Sequence, residues 1–375
     1  MTSLYRSVVF LLSVAAIQVQ GGKDDLNQPE LQQPTQQADS SSVRPKLPRP
    51  TRLPHKKLKH HLRQEENEEK YSRFNKCEDK YLETDYSYLV NPGMSRYGDD
   101  MQVATLYSDS SEVLFKTIGK GVDFYELEST PPSKPHMATF LRNNGLYFTQ
   151  ECKLPEPSDL LLPLEVEMQK YLTQPGYGSP HVLQVLDYVV TKNEYMLVME
   201  YPGREWITLD RYMTEQGKLS VYDVRFIASE ALKALLSLKT LGIFHGDIAA
   251  KNVLYNEDTS DVKLMNFGYS GLLEEWNQGS SESGSSDEKP DFWGTEETDL
   301  AGLGKLMYRL LTLDDANQHP MTRHEVEEKL RKNLRRPDSQ ISIDVMDLVH
   351  ILLGQGPYEM ATLEDALKHP FFTSQ

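Results

Sequence analysis

The chain has 375 residues, 38% hydrophobic and 26% charged, with a net charge of −16. That length allows two or three domains and a sizeable apolar core. Residues 1–69 carry a slight positive balance, so everything from Lys70 onward is more acidic than the whole, which argues against nucleic-acid binding by the globular part. No segment approaches the run of about 18 apolar residues that a membrane-spanning helix needs.

In chain order, residues 1–22 read as a secretory signal peptide. Arg6 precedes an apolar run from Val8 to Val19, and Val19-Gln20-Gly21 offers a small-residue cleavage site. Residues 23–69 are rich in Gln, Pro, Ser and charge and have no apolar period, so they read as a disordered linker. Within them Arg44, Lys46, Arg49, Arg52, Lys56, Lys57, Lys59 and Arg63 form a proline-interleaved basic tract, a solvated stretch or an attractor for anionic surfaces. His60-His61-Leu62-Arg63, followed by Glu65, Glu66, Glu68 and Glu69, is similar to the RxLR and acidic elements of oomycete secreted effectors, with histidine in place of the first arginine. A secretory route and a secreted location are therefore expected. Cys77 and Cys152, an even count in an oxidising compartment, permit a disulfide. Cys152 immediately precedes the lysine of a β-rich run, which favours a small buried apolar residue instead.

Ile118-Gly119-Lys120-Gly121 lies between the apolar run Val113-Leu114-Phe115 and Tyr125-Glu126-Leu127, a strand–turn–strand setting in which glycine N–H groups can approach phosphates. After an unusually long connection over residues 128–146, the run LYFTQECKL places Lys153 at a strand end. The stretch from Glu165 to Leu172 has helical apolar spacing, with Glu165 or Glu167 free to face a lysine. Tyr195 to Tyr201 is an apolar strand entering a polar hinge, and Val224, Ile227, Ala231, Leu235 and Leu238 mark a long buried helix over Val221 to Leu241. Then come His245-Gly246-Asp247, Asn252, and Asn266-Phe267-Gly268. Gly279 to Glu288 is an acidic low-complexity loop. Asp299-Leu300-Ala301-Gly302-Leu303-Gly304 follows, and His369-Pro370-Phe371-Phe372 closes the chain.

In order and spacing these elements resemble the eukaryotic protein kinases, whose patterns are HRD-x4-N and DFG. The resemblance implies an α+β bilobal fold within residues 70–375, with a small β-rich lobe over about 100–201 and a helical lobe over about 202–375. It implies ATP with Mg2+ or Mn2+ as cofactors. Asp247 would be the catalytic base, Lys153 would pair the phosphates under the guidance of Glu165, and Gly119 and Gly121 would cover them. Met199, Glu200 and Tyr201 would line the adenine pocket, and Asn252 and Asn266 would hold metal. The departures are specific. Asn266 is an amide where a carboxylate holds the metal, which weakens the site. Gly246 replaces an arginine. No APE glutamate precedes Asp299, and Met360 stands where its arginine partner would be, so a buried ion pair is expected to be missing on both sides. A secreted kinase-like protein with weak or absent phosphoryl transfer to protein Ser, Thr or Tyr is the expectation, with a protein partner or substrate. The alternatives are an active secretory-pathway kinase and, because HGD-x4-N also resembles it, a small-molecule phosphotransferase of the aminoglycoside and choline kinase type.

Overall fold

A computed structural model describes residues 68–88, 96–98, 100–107, 110–119, 162–174, 176, 178–273, 293–315, 321–360 and 362–374. Outside them lie the expected signal segment, nearly all of the linker with its basic tract and effector-like motif, Gly121, the 128–146 connection, Cys152, Lys153 and the acidic run from Gly279.

Helix α1 (Glu68–Asp85) presents Phe74, Cys77 and Tyr81, three and four residues apart, as a buried face. It packs on strand β4 (Val185–Val190), where the Tyr81 hydroxyl donates to Asp187 at 2.8 Å and the Val190 N–H to Glu78 at 3.2 Å. Cys77 is disulfide-bonded, and Cys152 is the only other cysteine in the sequence. The expectation of a free buried thiol is corrected accordingly.

The small lobe is an antiparallel five-stranded sheet in the order β1-β2-β3-β5-β4, with β1 at Tyr86–Tyr88, β2 at Met101–Leu106, β3 at Glu112–Gly119 and β5 at Glu194–Glu200. Its first strand precedes residue 100, so this lobe starts earlier than expected from sequence. Helix α2 (Leu164–Leu172) lies between the two lobes: Val166 joins the core of the sheet, while Met168 and Leu172 join the core of the helices.

The large lobe is built on α3 (Leu209–Gln216), α4 (Val221–Lys239), α5 (Glu296–Thr312), α6 (Arg323–Asn333), α7 (Gln340–Leu352), α8 (Leu363–Leu367) and α9 (Pro370–Thr373). Helix α4 begins with a reciprocal Ser220–Asp223 capping box and buries Val224, Ile227, Ala231, Leu235 and Leu238. Two small sheets carry the loops between the lobes: β6 (Trp206–Thr208), β8 (Val253–Asn256) and β9 (Val262–Leu264) in one, and β7 (Ile243–Phe244), β10 (Gly271–Leu273) and β11 (Trp293–Gly294) in the other.

A half-buried ion pair does tie this lobe together, from residues not anticipated. Glu296, in the first turn of α5, pairs with Lys239 from the last turn of α4 at 2.7 Å and accepts the Leu363 N–H at 2.8 Å. Lys239 reaches Glu364 as well, at 2.6 Å. A glutamate three residues before Asp299, a lysine from a distant helix and a backbone N–H thus do the work of the carboxylate–arginine pair that the sequence lacks.

Candidate active site

Strand β7 delivers the loop His245–Asn252 to the floor of the cleft, and Asp299 of α5 holds it from below. The His245 N–H donates to Asp299 Oδ2 at 2.8 Å and the Gly246 N–H to Oδ1 at 2.9 Å, so both oxygens are used. Burial raises the Asp299 carboxyl to about 6, although the two N–H groups favour its charged form. His245 is fully buried. Its Nε2 faces the Met265 carbonyl at 3.0 Å and its Nδ1 accepts the Asp247 N–H at 3.2 Å, which selects the neutral Nε2–H tautomer. Burial lowers its pKa to about 4. Gly246 adopts φ +83°, with the Tyr269 carbonyl occupying the space a Cβ would need. An arginine at this position is therefore incompatible with the loop as folded.

Asp247 projects into the cleft beside Asn252, whose Nδ2 donates to the Asp247 carbonyl at 2.8 Å and to its carboxylate at 2.7 Å. Asn266 sits at φ 71° and ψ 67°, a left-handed conformation that Asn and Asp tolerate best. Its amide bonds in both directions: Nδ2 donates to Asn252 Oδ1 at 2.9 Å, and Oδ1 accepts from Lys116 Nζ at 2.6 Å. Lys116 in turn meets Glu165 Oε1 at 2.5 Å, with Asp100 at 3.5 Å. Burial pushes the Glu165 carboxyl up, against the pull of Lys116 and of the Phe267 N–H. A continuous line of polar contacts therefore runs Glu165–Lys116–Asn266–Asn252–Asp247.

The structure gives Glu165 to Lys116, whereas the sequence pointed to Lys153, which lies outside the described residues. The glycine assignment changes with it. β3 runs antiparallel to β5, so Gly119 pairs with Glu194 at the end of the sheet away from the hinge, where Val113 pairs with Glu200. Gly119 follows the lysine strand and does not cover the cleft. The signal available in sequence was Val113-Leu114-Phe115-Lys116, close in pattern to the V-A-I-K of kinase strand three. Met199 is fully buried at the back of the hinge, paired with Leu114 and Val185. The Glu200 N–H is taken by the Gln184 carbonyl, and its carboxylate by Lys263 at 2.9 Å. Tyr201 is followed by Pro202, which has no N–H to offer.

The sequence model of the protein kinase domain matches residues 162–372. The chain belongs to the protein kinase family. It is 28% identical over 216 residues to a serine/threonine-protein kinase PLK4 of Nematostella vectensis, which covers 52% of this chain and 20% of the relative. It is 29% identical over 211 residues to the phosphorylase b kinase gamma catalytic chain, liver/testis isoform, of Bos taurus, with 52% and 51% covered, and 26% identical over 204 residues to a sucrose non-fermenting protein kinase 1 of Fusarium virguliforme, with 52% and 28% covered. The chain thus spans about half or less of each relative's length. Lys116 precedes the matched region, so its place in the kinase site rests on the geometry. Kinases generally use ATP and a divalent metal on a protein substrate. Among the described residues no helix is long and apolar enough to cross a membrane.

Proposed function

We propose that this kinase-family protein is a secreted, divergent member that transfers phosphate weakly or not at all and acts mainly by binding a protein partner. The observation that carries this reading is the two-way hydrogen bonding of Asn266. A divalent ion between Asn252 and Asn266 would meet two neutral amide oxygens, one already accepting from Asn266 and the other from Lys116. No group of three or more His, Cys, Asp or Glu suited to a metal occurs among the described residues. Mg2+ favours carboxylate and phosphate oxygens and sheds its own water reluctantly, so these residues as arranged do not fit it. The apolar leader and the disulfide at Cys77 support a secretory route, because such bonds persist in oxidising compartments. An effector role agrees with the motif around Leu62.

An active kinase is the competing reading, favoured by the close Lys116–Glu165 pair and by the presence of Asp247. Phosphorylation of a generic protein substrate by the purified chain, with Mg2+ and separately with Mn2+, decides between them. Turnover at least 10²-fold below that of Asn266→Asp is expected, since a lost carboxylate worth about 3–4 kcal/mol to the transition state gives that factor. Robust transfer by the unaltered chain, abolished in Asp247→Ala, overturns the proposal.

A further inference from the structure

The segment Arg96–Gly98, just before β2, enters the cleft instead of covering it. Tyr97 is only 3% exposed, and its hydroxyl donates to the Gly203 carbonyl at 2.9 Å, just past the hinge. Its ring stands edge-on to Tyr201, with centroids 5.9 Å apart, and shares an apolar cluster with Met199, Leu254 and Met265. Leu254 lies two residues after Asn252, on the floor of the cleft. A Cβ on the neighbouring Gly98 would be in ordinary van der Waals contact with the Met265 methyl, at 3.9 Å. The same segment is fastened to the large lobe. The Arg96 carbonyl accepts the Thr208 N–H at 2.9 Å, and the Arg96 guanidinium pairs with Glu257 in the turn after β8. At the hinge itself Pro202 carries no N–H, and the Gly203 carbonyl also accepts from Trp206 N at 3.2 Å.

We propose that Tyr97 is a built-in occupant of the purine subsite, a flat ring with a polar edge held against the hinge where a nucleotide base would otherwise lie. A ring tethered by its own chain competes at an effective concentration in the millimolar range, so a free purine must displace it before binding. This closure is separate from the one at Asn266, since it concerns the base and not the phosphates or metal.

Adenosine is the probe that isolates it, because it has no phosphate and needs no metal. In calorimetric titrations of the full chain, no adenosine binding is expected for the unaltered protein up to about millimolar concentration. Tyr97→Ala should bind it saturably and at least about tenfold more tightly, the scale of one aromatic contact plus its hydrogen bond. Tyr97→Phe, which keeps the ring, should remain closed. Arg96→Ala, which removes a part-exposed ion pair that helps hold the segment down, should gain a few-fold in affinity. Adenosine binding by the unaltered chain as tight as by Tyr97→Ala overturns the proposal, as does a folded Tyr97→Ala that binds none. If Tyr97→Ala does not fold, Arg96→Ala decides: improved adenosine affinity supports the closure and unchanged affinity refutes it.

Discussion

Below the catalytic loop and above it, polar groups are satisfied in opposite ways. Below, a buried carboxylate, Asp299, takes two backbone N–H groups and fixes His245 and Gly246, the arrangement a kinase needs to aim its base. Above, where a kinase leaves oxygens open for metal and phosphate, Asn266 joins Lys116 to Asn252 and Tyr97 fills the hinge side. The frame that positions chemistry is complete, and the face that receives substrate is satisfied by the protein itself. Fold and reaction are thus held by different residues and can be broken separately.

The largest effect should come from the frame. Asp299→Ala leaves the buried His245 N–H and the part-buried Gly246 N–H without an acceptor, and a loss of about 3–5 kcal/mol in denaturant unfolding is expected. A comparable Asp247→Ala, on a part-exposed side chain, should cost far less stability. Equal losses would erase the distinction between the two sides.

His245 gives the next largest effect, and it depends on pH. Its folded value of about 4 lies below the ordinary 6.5, so unfolded chains bind the proton first and the stability it contributes at neutral pH is lost as pH falls from 6.5 through 4. Asp299 works in the opposite sense: its folded value of about 6 exceeds the ordinary 3.8, so its contribution is present at low pH and is lost as pH rises through 6. In the unaltered chain the two slopes oppose each other between pH 4 and 6. His245→Gln removes one of them. The stability difference between the unaltered chain and His245→Gln should therefore shrink by roughly 3 kcal/mol from pH 7 to pH 4, read by urea unfolding at each pH. A pH-independent difference would place the proton elsewhere.

The pair that ties the frame together comes third. Lys239→Met strands the buried Glu296 and should cost about 2 kcal/mol, while Lys239→Met with Glu296→Gln should recover part of that loss, as expected when no charge is left unpaired. Additive losses would show that the two residues act independently.

The frame was legible in sequence and the closed face was not, for a physical reason. His245, Asp247, Asn252 and Asp299 sit at fixed spacings because each is set by a short loop or by the register of one helix. Lys116 escaped because a glycine turn following the strand looks, in one dimension, like one preceding it; only the pairing of β3 with β5 shows which end faces the hinge. Glu296 found its cation on a helix more than fifty residues away, a partnership without periodicity. Tyr97 lies in a connection with no repeating pattern, and its role depends on Gly203 and Thr208, which only the folded chain brings near. The Asn266 substitution was visible as a missing charge. That the amide also supplies a donor, and so closes the line from Glu165 to Asp247, was not.

That donor gives the smallest and most discriminating prediction. In Asn266→Asp the Nδ2 bond to Asn252 Oδ1 is lost, and the new oxygen faces another acceptor, because the Asn252 amino group is committed to Asp247. The added charge does gain attraction from Lys116, but that ammonium already serves Glu165 and stands near Asp100, so a further carboxylate in the cleft is poorly compensated. With EDTA present the variant should therefore unfold about 1 kcal/mol more easily than the unaltered chain. Millimolar Mn2+ should reverse the order, since an ion that binds only the folded variant stabilises it by mass action, while the unaltered chain, with both amide oxygens engaged, should hardly respond. A Mn2+ shift of equal size in both proteins would mean that the amide network opens readily for metal, and the contrast between a complete frame and a closed face would narrow to Tyr97 alone.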